Sequence, residues 1–340
     1  MKNKTVLILI PFIGMLLFSV GCKQSGDNLK GDEISLVSSE YVPSADLKGK
    51  YLMIKELSDE FENSSLDPRK WFPYNPTWLG RRPAYFAPEN VEVSDGKLHL
   101  YLRAQEPPDS LKAKGYHSFS SASVRSKYLV KYGYFEVKAK AMNSVSSNAF
   151  WFQPPPTDSL AVEIDVFELC GGCQKDNYRG IVKSYVQRYP MTVHVWQTPL
   201  RDHKPASLGE QIREILYYPV SRDVENPTTG FFHSDTSELI SDPFHKELKV
   251  PFNVSESYHI YGFLWTPYIL TWYVDGKPVW TLENTYWHQP LTLNFNVETK
   301  QGWFGLPRKE NLPSVFSIEY VRSWKIESVP WKGEHQWMRK

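Results

Sequence analysis

Apolar and polar residues alternate along several short stretches of the chain, and this period of two predicts β-strands with one buried face. The clearest stretches are residues 98–103, 135–141 and 291–298, and in the first of them leucines occupy every second position. Helical periodicity is nearly absent. The best candidate for a helix is residues 207–217, where a serine and a glutamate three residues apart could form a capping box.

Short strands separated by glycine and proline predict an all-β fold, either a sandwich or a jelly roll. Asp275 and Gly276 stand between two aromatic-rich runs, which predicts a β-hairpin at residues 269–280. Residues 199–256 are weakly patterned, and we expect loops around a binding face there. No repeat or change of composition interrupts the chain after residue 50, so residues 51–340 are expected to form one domain.

The first 22 residues have the pattern of an export signal. The apolar run at residues 6–20 follows two lysines and is shorter than a typical transmembrane helix. It ends in Ser-Val-Gly-Cys22, which resembles the lipobox of bacterial lipoproteins and would make Cys22 a lipidated first residue. A plain cleaved signal peptide is the alternative. Residues 23–50 fit a flexible tether, so we expect a protein that is lipid-anchored to the bacterial cell envelope, at the outer membrane, or secreted.

The cysteines agree with an exported protein. If Cys22 carries lipid, Cys170 and Cys173 remain, and an oxidising compartment would allow them to form a disulfide. A redox or zinc role is disfavoured, because the Cys-Gly-Gly-Cys motif stands without a second pair of ligands.

Charge and composition narrow the expected partners. The 39 Lys and Arg balance the 38 Asp and Glu. This argues against a nucleic-acid partner, because proteins that bind phosphates of nucleic acids usually have more basic than acidic residues. Aromatic residues make up 15% of the chain. They fit the core and the cross-strand pairs of a β protein, and they also fit a groove lined with flat rings that stack on sugars.

Three carboxylates within six residues are the candidate chemistry. Glu163 and Asp165 are two residues apart and would share one face of a strand, while the apolar residues between and around them face a core. Strict alternation would place Glu168 in the apolar layer, where an unpaired carboxylate is costly. A one-residue β-bulge around Val166-Phe167 would return it to the face of the other two.

Such a row of carboxylates suits acid–base chemistry. Like charges that close raise at least one pKa, as a general acid near neutral pH requires. Two carboxylates about 5 Å apart are the arrangement of a retaining glycosidase, in which one attacks the anomeric carbon and the other protonates the leaving oxygen. The alternatives are a solvated strand face and an acidic cluster that binds a cation.

The segment Glu163-Ile-Asp165-Val-Phe-Glu168 resembles the bulged active-site motif of glycoside hydrolase family 16. The loop from Trp78 to Phe86 is similar to the agarase and porphyranase branch of that family. The resemblance implies a curved β-sandwich jelly roll with an open substrate cleft on its concave sheet. Further matching motifs are residues 59–61, 90–98, 132–137, 148–151, 259–265, 273–276 and 320–324.

The resemblance also implies roles for single residues. Glu163 would be the nucleophile and Glu168 the acid/base, while Asp165 would hydrogen-bond with the nucleophile and tune it. The implied substrate-binding residues are Trp78, Arg81, Trp151, His194 and Glu298. Structural alternatives stand beside these roles: core packing for the tryptophans, an exposed loop for the arginine, and an ordinary strand position for the histidine and the last glutamate.

The implied substrate is a red algal galactan. In this family agarases, porphyranases, κ-carrageenases and some β-glucanases share the bulge, and the Trp-x-Gly-Arg-x-Pro loop narrows the expectation to agar-type chains. Arg81 and Arg82 favour a sulfated agar such as porphyran, because a guanidinium matches the oxygens of a sulfate. We therefore expect an endo-acting retaining hydrolase of β-1,4 linkages in porphyran or agarose, with κ- or hybrid carrageenan and β-1,3-glucan as alternatives.

The competing class of function is a non-catalytic surface glycan-binding lipoprotein, since jelly rolls also serve as lectins. A lectin has no need of the three stacked carboxylates. The expected partner is a polysaccharide, with no nucleic acid, with membrane contact through the lipid only, and with the chain as a monomer. No organic cofactor and no catalytic metal is implied, although structural calcium is common in such sandwiches.

Overall fold

The computed structural model describes residues 34–47, 49–155, 160–174, 184–197 and 244–327. Within these ranges nearly all regular structure is β, and the α-helix there is the short turn Asp109–Lys112 (α1). No helix in the described ranges is long and apolar enough to cross a membrane. The strands in chain order are β1 (Leu36–Val37), β2 (Lys50–Ile54), β3 (Trp71–Phe72), β4 (Tyr85–Phe86), β5 (Val91–Ser94), β6 (Lys97–Ala104), β7 (Phe119–Ser121), β8 (Ser123–Val130), β9 (Gly133–Lys140), β10 (Ser147–Gln153), β11 (Leu160–Leu169), β12 (Arg188–Gln197), β13 (His245–Lys249), β14 (His259–Trp265), β15 (Ile269–Val274), β16 (Lys277–Glu283), β17 (Leu291–Glu298) and β18 (Ser314–Glu327).

Two sheets form the fold, which confirms the predicted all-β class. The larger sheet has eleven strands in the order β16-β15-β14-β9-β18-β6-β7-β4, with β1, β2 and β5 attached beside this path. The smaller sheet has seven strands in the order β13-β12-β11-β10-β17-β8-β3. Strands far apart in sequence therefore lie side by side, and β10 has β11 on one edge and β17 on the other.

The apolar faces of the two sheets pack on each other to form the core. Leu98, Leu100 and Leu102 on β6 are completely buried, as their alternation predicts, and β9 and β17 also form where the pattern places them. β17 differs from the prediction in one respect, because the residues of both its faces are buried, including Thr292 and Asn296. Thr292 accepts a hydrogen bond from Arg125 and Asn296 donates one to Glu298, and such bonds offset the cost of burying polar side chains.

The hairpin predicted around Asp275 and Gly276 is confirmed. Both residues have positive φ angles (47° and 76°) and join β15 to β16, as a type I′ turn requires. The expectation of loops throughout residues 199–256 is wrong in part, because β13 pairs there with β12. β13 is an edge strand of mostly charged residues, so it lacks the apolar alternation that marks a strand. Residues 198–243, with the predicted helix at 207–217, lie outside the described residues.

The folded unit begins earlier than the predicted boundary at residue 51. β1 pairs with β2, and the backbone N–H of Ser44 donates to a carboxylate oxygen of the buried Glu136 at 2.9 Å. The predicted tether is therefore corrected for residues 34–47, which pack on the larger sheet. The segment has no sustained period, so its apolar residues, such as Ala45 and Leu47, did not mark it as part of the fold. Residues 1–33, with the export signal and Cys22, lie outside the described residues.

Candidate active site

The three carboxylates lie on β11, and this strand contains the predicted bulge. Between Asp165 and Phe167, β11 has one residue more than its partner β10, and Val166 is this extra residue. The bulge brings Glu168 to the same side of the sheet as Asp165 and Glu163, while the apolar residues of the strand stay buried on the core side. We call the side of the seven-stranded sheet that carries these carboxylates the polar face.

Two core tryptophans fix the backbone of β11 from the opposite side. The indole N–H of Trp287 donates to the carbonyl oxygens of Glu163 (2.9 Å) and of His194 on β12 (3.2 Å). The indole N–H of Trp272 donates to the carbonyl oxygen of Asp165 at 3.4 Å. Both indoles are completely buried, so aromatic residues that belong to the core also hold the strand segments that carry the site.

His194 lies opposite Glu163 on the neighbouring strand. Its Nε2 is 3.2 Å from Oδ2 of Asp165 and 4.0 Å from Oε1 of Glu163. Among the described residues, these three form a group whose possible metal-ligand atoms all lie within 4.8 Å of one another. Because the same atoms already serve the contact between histidine and aspartate, we assign no separate metal site to them.

Glu298 ends β17, and Arg81 reaches it from the loop between β3 and β4. Arg81 Nε donates to Oε2 of Glu298 at 2.5 Å, and the side-chain amide of Asn296 donates to Oε1 at 2.7 Å. Burial by itself would raise the pKa of Glu298, but the charges of Arg81 and Lys300 outweigh burial and lower it. The Arg81 side chain remains 45% exposed, and its guanidinium carbon lies 5.7 Å from the ring centre of Trp78.

Lys300 belongs to the site, although no sequence pattern singled it out. Its Nζ donates to Oε1 of Glu168, and the hydroxyl of Ser147 on β10 donates to the same oxygen at 3.4 Å. The available signal was the spacing at the end of β17, where polar residues at positions 294, 296, 298 and 300 continue one alternation. That alternation extends the polar face two residues beyond the strand.

The carboxylates are close enough to change one another's protonation. Burial, then the charges of Asp165 and Glu168, raise the pKa of Glu163 well above its ordinary value. Burial also raises the pKa of Glu168, with Lys300 opposing this effect and Asp165 adding to it. Because the two glutamates interact, they titrate as a pair, and one of them keeps its proton to a higher pH than a free glutamate does. That protonated carboxyl is what a general acid needs.

Trp78 and Trp151 meet edge to face beside the carboxylates, with ring centres 6.3 Å apart. Trp151 stands on β10 opposite Asp165 and is only 6% exposed, whereas Trp78 is half-buried on its loop. Gly80 has a φ of 108°, and a Cβ there would lie 3.0 Å from the backbone nitrogen of Phe86, so this loop needs glycine. The structure thus brings the two predicted sugar-binding tryptophans together, and Trp78 offers the larger exposed surface.

Arg125 on β8 is a second site residue that the sequence analysis missed. It is 1% exposed and donates to Oγ1 of Thr77 (2.9 Å), Oδ1 of Asn75 (3.3 Å) and Oγ1 of Thr292 (3.1 Å). Burial lowers the pKa of Arg125 to about 10. Since Thr77 directly precedes Trp78, the buried guanidinium ties the loop that carries this tryptophan to the sheet.

Cys170 and Cys173, directly after the bulged strand, form the disulfide that the sequence allows. It packs against an aromatic group in which the indole N–H of Trp303 donates to the Tyr185 hydroxyl at 2.9 Å. Lys300 borders this group, and its Nζ lies 5.0 Å from the ring centre of Trp303. We call the group the disulfide cluster; it consists of Cys170, Cys173, Tyr185, Trp303 and Phe304.

Comparison with known families agrees with this geometry. The family model described as the glycoside hydrolase family 16 domain of β-porphyranases A–D matches residues 51–215, and the model of glycosyl hydrolases family 16 matches residues 220–304. The chain belongs to glycoside hydrolase family 16. Membership makes it a glycoside hydrolase, and the first match associates it with the agarase and porphyranase branch.

Individual relatives support the family 16 assignment. The chain is 24% identical to β-porphyranase B of Phocaeicola plebeius over 335 residues, which cover 90% of this chain and 95% of that one. It is 28% identical to β-porphyranase D of Zobellia galactanivorans over 181 residues, 50% of this chain but only 42% of that protein's length. A β-agarase and a κ-carrageenase also match, at 26% and 24% identity.

Solved structures of the family share the fold. The β-porphyranase from the human gut bacterium Bacteroides plebeius superposes with a TM-score of 0.65 at 22% identity, covering 85% of this chain and 96% of that one. The jelly-roll sandwich predicted from the sequence is therefore confirmed.

Proposed function

We propose that this family 16 protein is an endo-acting, retaining hydrolase that cleaves β-1,4 linkages of agar-type galactans. The observation that carries the proposal is the bulge at Val166, which brings Glu163, Asp165 and Glu168 to one face. Without the extra residue, Glu168 would point into the core, and the face would lack one of the two carboxyl groups that double displacement needs.

In the first step, the carboxylate of Glu163 attacks the anomeric carbon, while the carboxyl group of Glu168 gives its proton to the departing glycosidic oxygen. The bond to the leaving sugar breaks as an ester bond to Glu163 forms. In the second step, the ionised Glu168 takes a proton from water, whose oxygen attacks the same carbon and releases Glu163. Two inversions retain the configuration of the sugar.

Asp165 is proposed to make attack by Glu163 more favourable. Its negative charge opposes ionisation of Glu163, and this repulsion is relieved when Glu163 becomes an uncharged ester. The contact of Asp165 with His194, at 3.2 Å, fixes the aspartate while the nucleophile changes charge. The histidine therefore acts through Asp165 in this proposal, in addition to its expected place beside the substrate.

Arg81 and Trp78 support porphyran, a sulfated agar, as the substrate. The half-exposed guanidinium over the tryptophan ring combines hydrogen-bond donors for a sulfate with an apolar surface for a sugar. Arg82 is a weaker candidate, because its guanidinium carbon lies 5.6 Å from the ring centre of Tyr116 and packs there. Relatives named as porphyranases agree with this substrate, while the matching β-agarase and κ-carrageenase make agarose and κ-carrageenan the alternatives.

The proposal includes export and attachment to the cell envelope through a lipid on Cys22, with the protein acting as a monomer on a polysaccharide. Labelling of the wild type with a radioactive fatty acid, compared with Cys22→Ala, tests the anchor. Label in the wild type and not in the variant supports it, and label in neither would leave a secreted enzyme.

The decisive experiment is a reducing-end assay of the form that begins after Cys22, on porphyran, agarose, κ-carrageenan and laminarin, with Glu163→Gln as the blank. Cleavage of porphyran but not agarose supports a sulfated substrate. Cleavage of agarose would make the protein a β-agarase and leave Arg81 without a role in sulfate recognition. If no substrate is cut while one is still bound, the glycan-binding lipoprotein replaces the hydrolase.

A further inference from the structure

Lys300 and Glu168 form an ion pair at the edge of the polar face, and both side chains are largely buried. Their exposed fractions are 14% for the lysine and 9% for the glutamate. Burying a lysine is costly unless an opposite charge is in contact with it. The chain thus places a buried cation directly on one particular carboxylate of the site, the one to which the proposed function gives the acid/base role.

The charges around Glu168 come from several elements of the fold. The neighbouring strand β10 contributes an uncharged group, the Ser147 hydroxyl. Arg81, another cation on this face, pairs with Glu298. Among the described residues, the cationic side chain that contacts Glu168 is therefore Lys300. The titratable and charged groups that interact with Glu168 are Glu163 and Asp165 on β11, Glu298 and Lys300 at and just beyond the end of β17, and Arg81 on the loop before β4. His194 on β12 contacts Asp165 and Glu163 of this group.

We propose that Lys300 is a positioning residue of the hydrolytic site, which holds Glu168 in place and allows it to give up its proton as double displacement requires. The inference rests on the proposed function. Glu168 must be protonated in the first step and ionised in the second. Burial and three neighbouring carboxylates favour the protonated form, and the ammonium group of Lys300 balances them, so that both forms are accessible.

The disulfide cluster fixes both partners of this ion pair. The backbone N–H groups of Trp303 and Phe304 donate to the carbonyl oxygen of Lys300, at 2.9 and 2.8 Å. The rings of these two residues stack on each other with centres 4.2 Å apart and pack against the disulfide. Cys170 follows Glu168 by only two residues, so one packed group restrains the lysine on one side and the end of the bulged strand on the other.

The first test needs no substrate. The side-chain carboxyl groups of the glutamates are titrated by carbon-13 NMR in the wild type, in Lys300→Met and in Lys300→Arg, and the Glu168 signal is identified by its loss in Glu168→Gln. We expect the titration midpoint of Glu168 to rise by about one pH unit or more in Lys300→Met, because an opposite charge in contact with a carboxylate has an effect of this size. Lys300→Arg should keep the midpoint near that of the wild type. An unchanged midpoint in Lys300→Met overturns the proposal.

The second test is the pH profile of kcat/KM on the polysaccharide that the wild type cleaves. The alkaline limb reports the proton donor, so it should move to higher pH in Lys300→Met by the same amount as the NMR midpoint. A purely structural role of Lys300 would lower the rate at every pH without moving this limb, and that result overturns the proposal. Lys309→Met is the matched control, since Lys309 is 56% exposed and pairs with Glu106 at the surface. Lys309→Met should change neither the NMR titration midpoint of Glu168 nor the pH profile of kcat/KM.

If Lys300→Met does not fold, Lys300→Gln removes the same charge and keeps a polar end, so it replaces the methionine variant in both experiments.

Two further outcomes separate this inference from the proposed function. If the NMR midpoint rises as expected while the wild type hydrolyses none of the four polysaccharides, the proposed function fails, and the control of Glu168 by Lys300 stands. If the wild type hydrolyses its substrate and neither the midpoint nor the limb moves, only the role of Lys300 fails.

Discussion

Arg81 and Glu298 are 217 positions apart in the sequence, and their side chains meet with 2.5 Å between Nε and Oε2. The contact ties the loop before β4 to the end of β17, next to the bulged strand. Glu298 is buried and also receives a hydrogen bond from Asn296, so the arginine is anchored on its inner side. Its outer part stays exposed, and an arginine held in this way can bind an anionic substituent without losing its anchor.

The first prediction concerns Arg81. Arg81→Gln should lower kcat/KM on porphyran by about 10- to 100-fold, because a hydrogen bond to a charged group contributes about 1.5–3 kcal/mol. The loss on desulfated porphyran should be much smaller. Arg82→Gln is the matched control, since Arg82 packs over Tyr116, and its kinetics should remain near those of the wild type. Equal losses on both substrates in Arg81→Gln would contradict sulfate recognition and indicate a structural role for its contact with Glu298.

The second prediction concerns the two proposed catalytic glutamates. Glu163→Gln and Glu168→Gln should each fold normally and lose roughly 10²- to 10⁴-fold or more in turnover, the range expected when a proton donor or an attacking carboxylate is removed. Reducing-end release measures turnover, and circular dichroism checks the fold. Glu319→Gln is the control, because Glu319 pairs with Lys138 on the other sheet and should leave turnover intact. Near-normal hydrolysis by either site variant would rule out the assigned roles.

The third prediction is stereochemical. Double displacement at Glu163 inverts the anomeric carbon twice, so the product formed first should keep the β configuration. Proton NMR of the fresh digest distinguishes the β from the α anomer before the two interconvert. An α product at early times would exclude a covalent intermediate on Glu163 and leave a single displacement by water.

The sequence reveals those parts of the site that depend on local pattern. Alternation locates β11, and the phase difference between Asp165 and Glu168 reveals the bulge, because a carboxylate in the core would be too costly. Arg125 could not be found in this way, and for Lys300 the alternation at the end of β17 indicates its side of the sheet but not its burial. A buried cation has no local pattern that distinguishes it from an exposed one, and both depend on partners far away in the chain. Glu168 and Lys300, for example, are separated by 132 residues.

The limits of the fold prediction have a similar cause. The strands of the core are recognised by their alternation, whereas β13 at the sheet edge consists largely of charged residues and has no such pattern. The segment at residues 34–47 lacks a sustained period, which is typical of a tether, and yet it docks on the larger sheet. Its docking depends on Glu136, a buried carboxylate on β9 that accepts a hydrogen bond from the backbone of Ser44. A backbone donor of this kind leaves no trace in the amino-acid sequence.

The fourth prediction is that Glu163→Gln stabilises the protein at neutral pH. Burial and the neighbouring carboxylates raise the pKa of Glu163 in the folded state, so the folded protein binds this proton more tightly than the unfolded chain does. Ionised Glu163 therefore destabilises the fold fully above its folded pKa and not at all below its unfolded pKa, about 4.3. Removing the charge should therefore raise the free energy of unfolding at pH 7 above that of the wild type.

Denaturant unfolding at pH 7 and pH 4 measures this difference for the wild type and for Glu163→Gln. The advantage of the variant should shrink as the pH falls and be small near pH 4, where the wild-type glutamate is mostly protonated in both states. Glu319→Gln, which removes a carboxylate from a surface pair, should differ from the wild type by no more than about 1 kcal/mol at either pH. A variant that is less stable than the wild type at pH 7 would show that ionised Glu163 is not under repulsion.

The fifth prediction separates Trp78 from its neighbour in the same loop. Trp78→Ala should lower kcat/KM on the polysaccharide by at least about tenfold, because loss of an aromatic stacking surface costs on the order of 1 kcal/mol beyond the lost contact area. Leu79 is 45% exposed and has no assigned contact with a sugar, so Leu79→Ala tests whether any truncation of this loop is harmful. It should leave kcat/KM within about twofold. Equal losses in the two variants would mean that the loop's conformation, which Arg125 helps to hold, matters and that the indole itself does not bind the substrate.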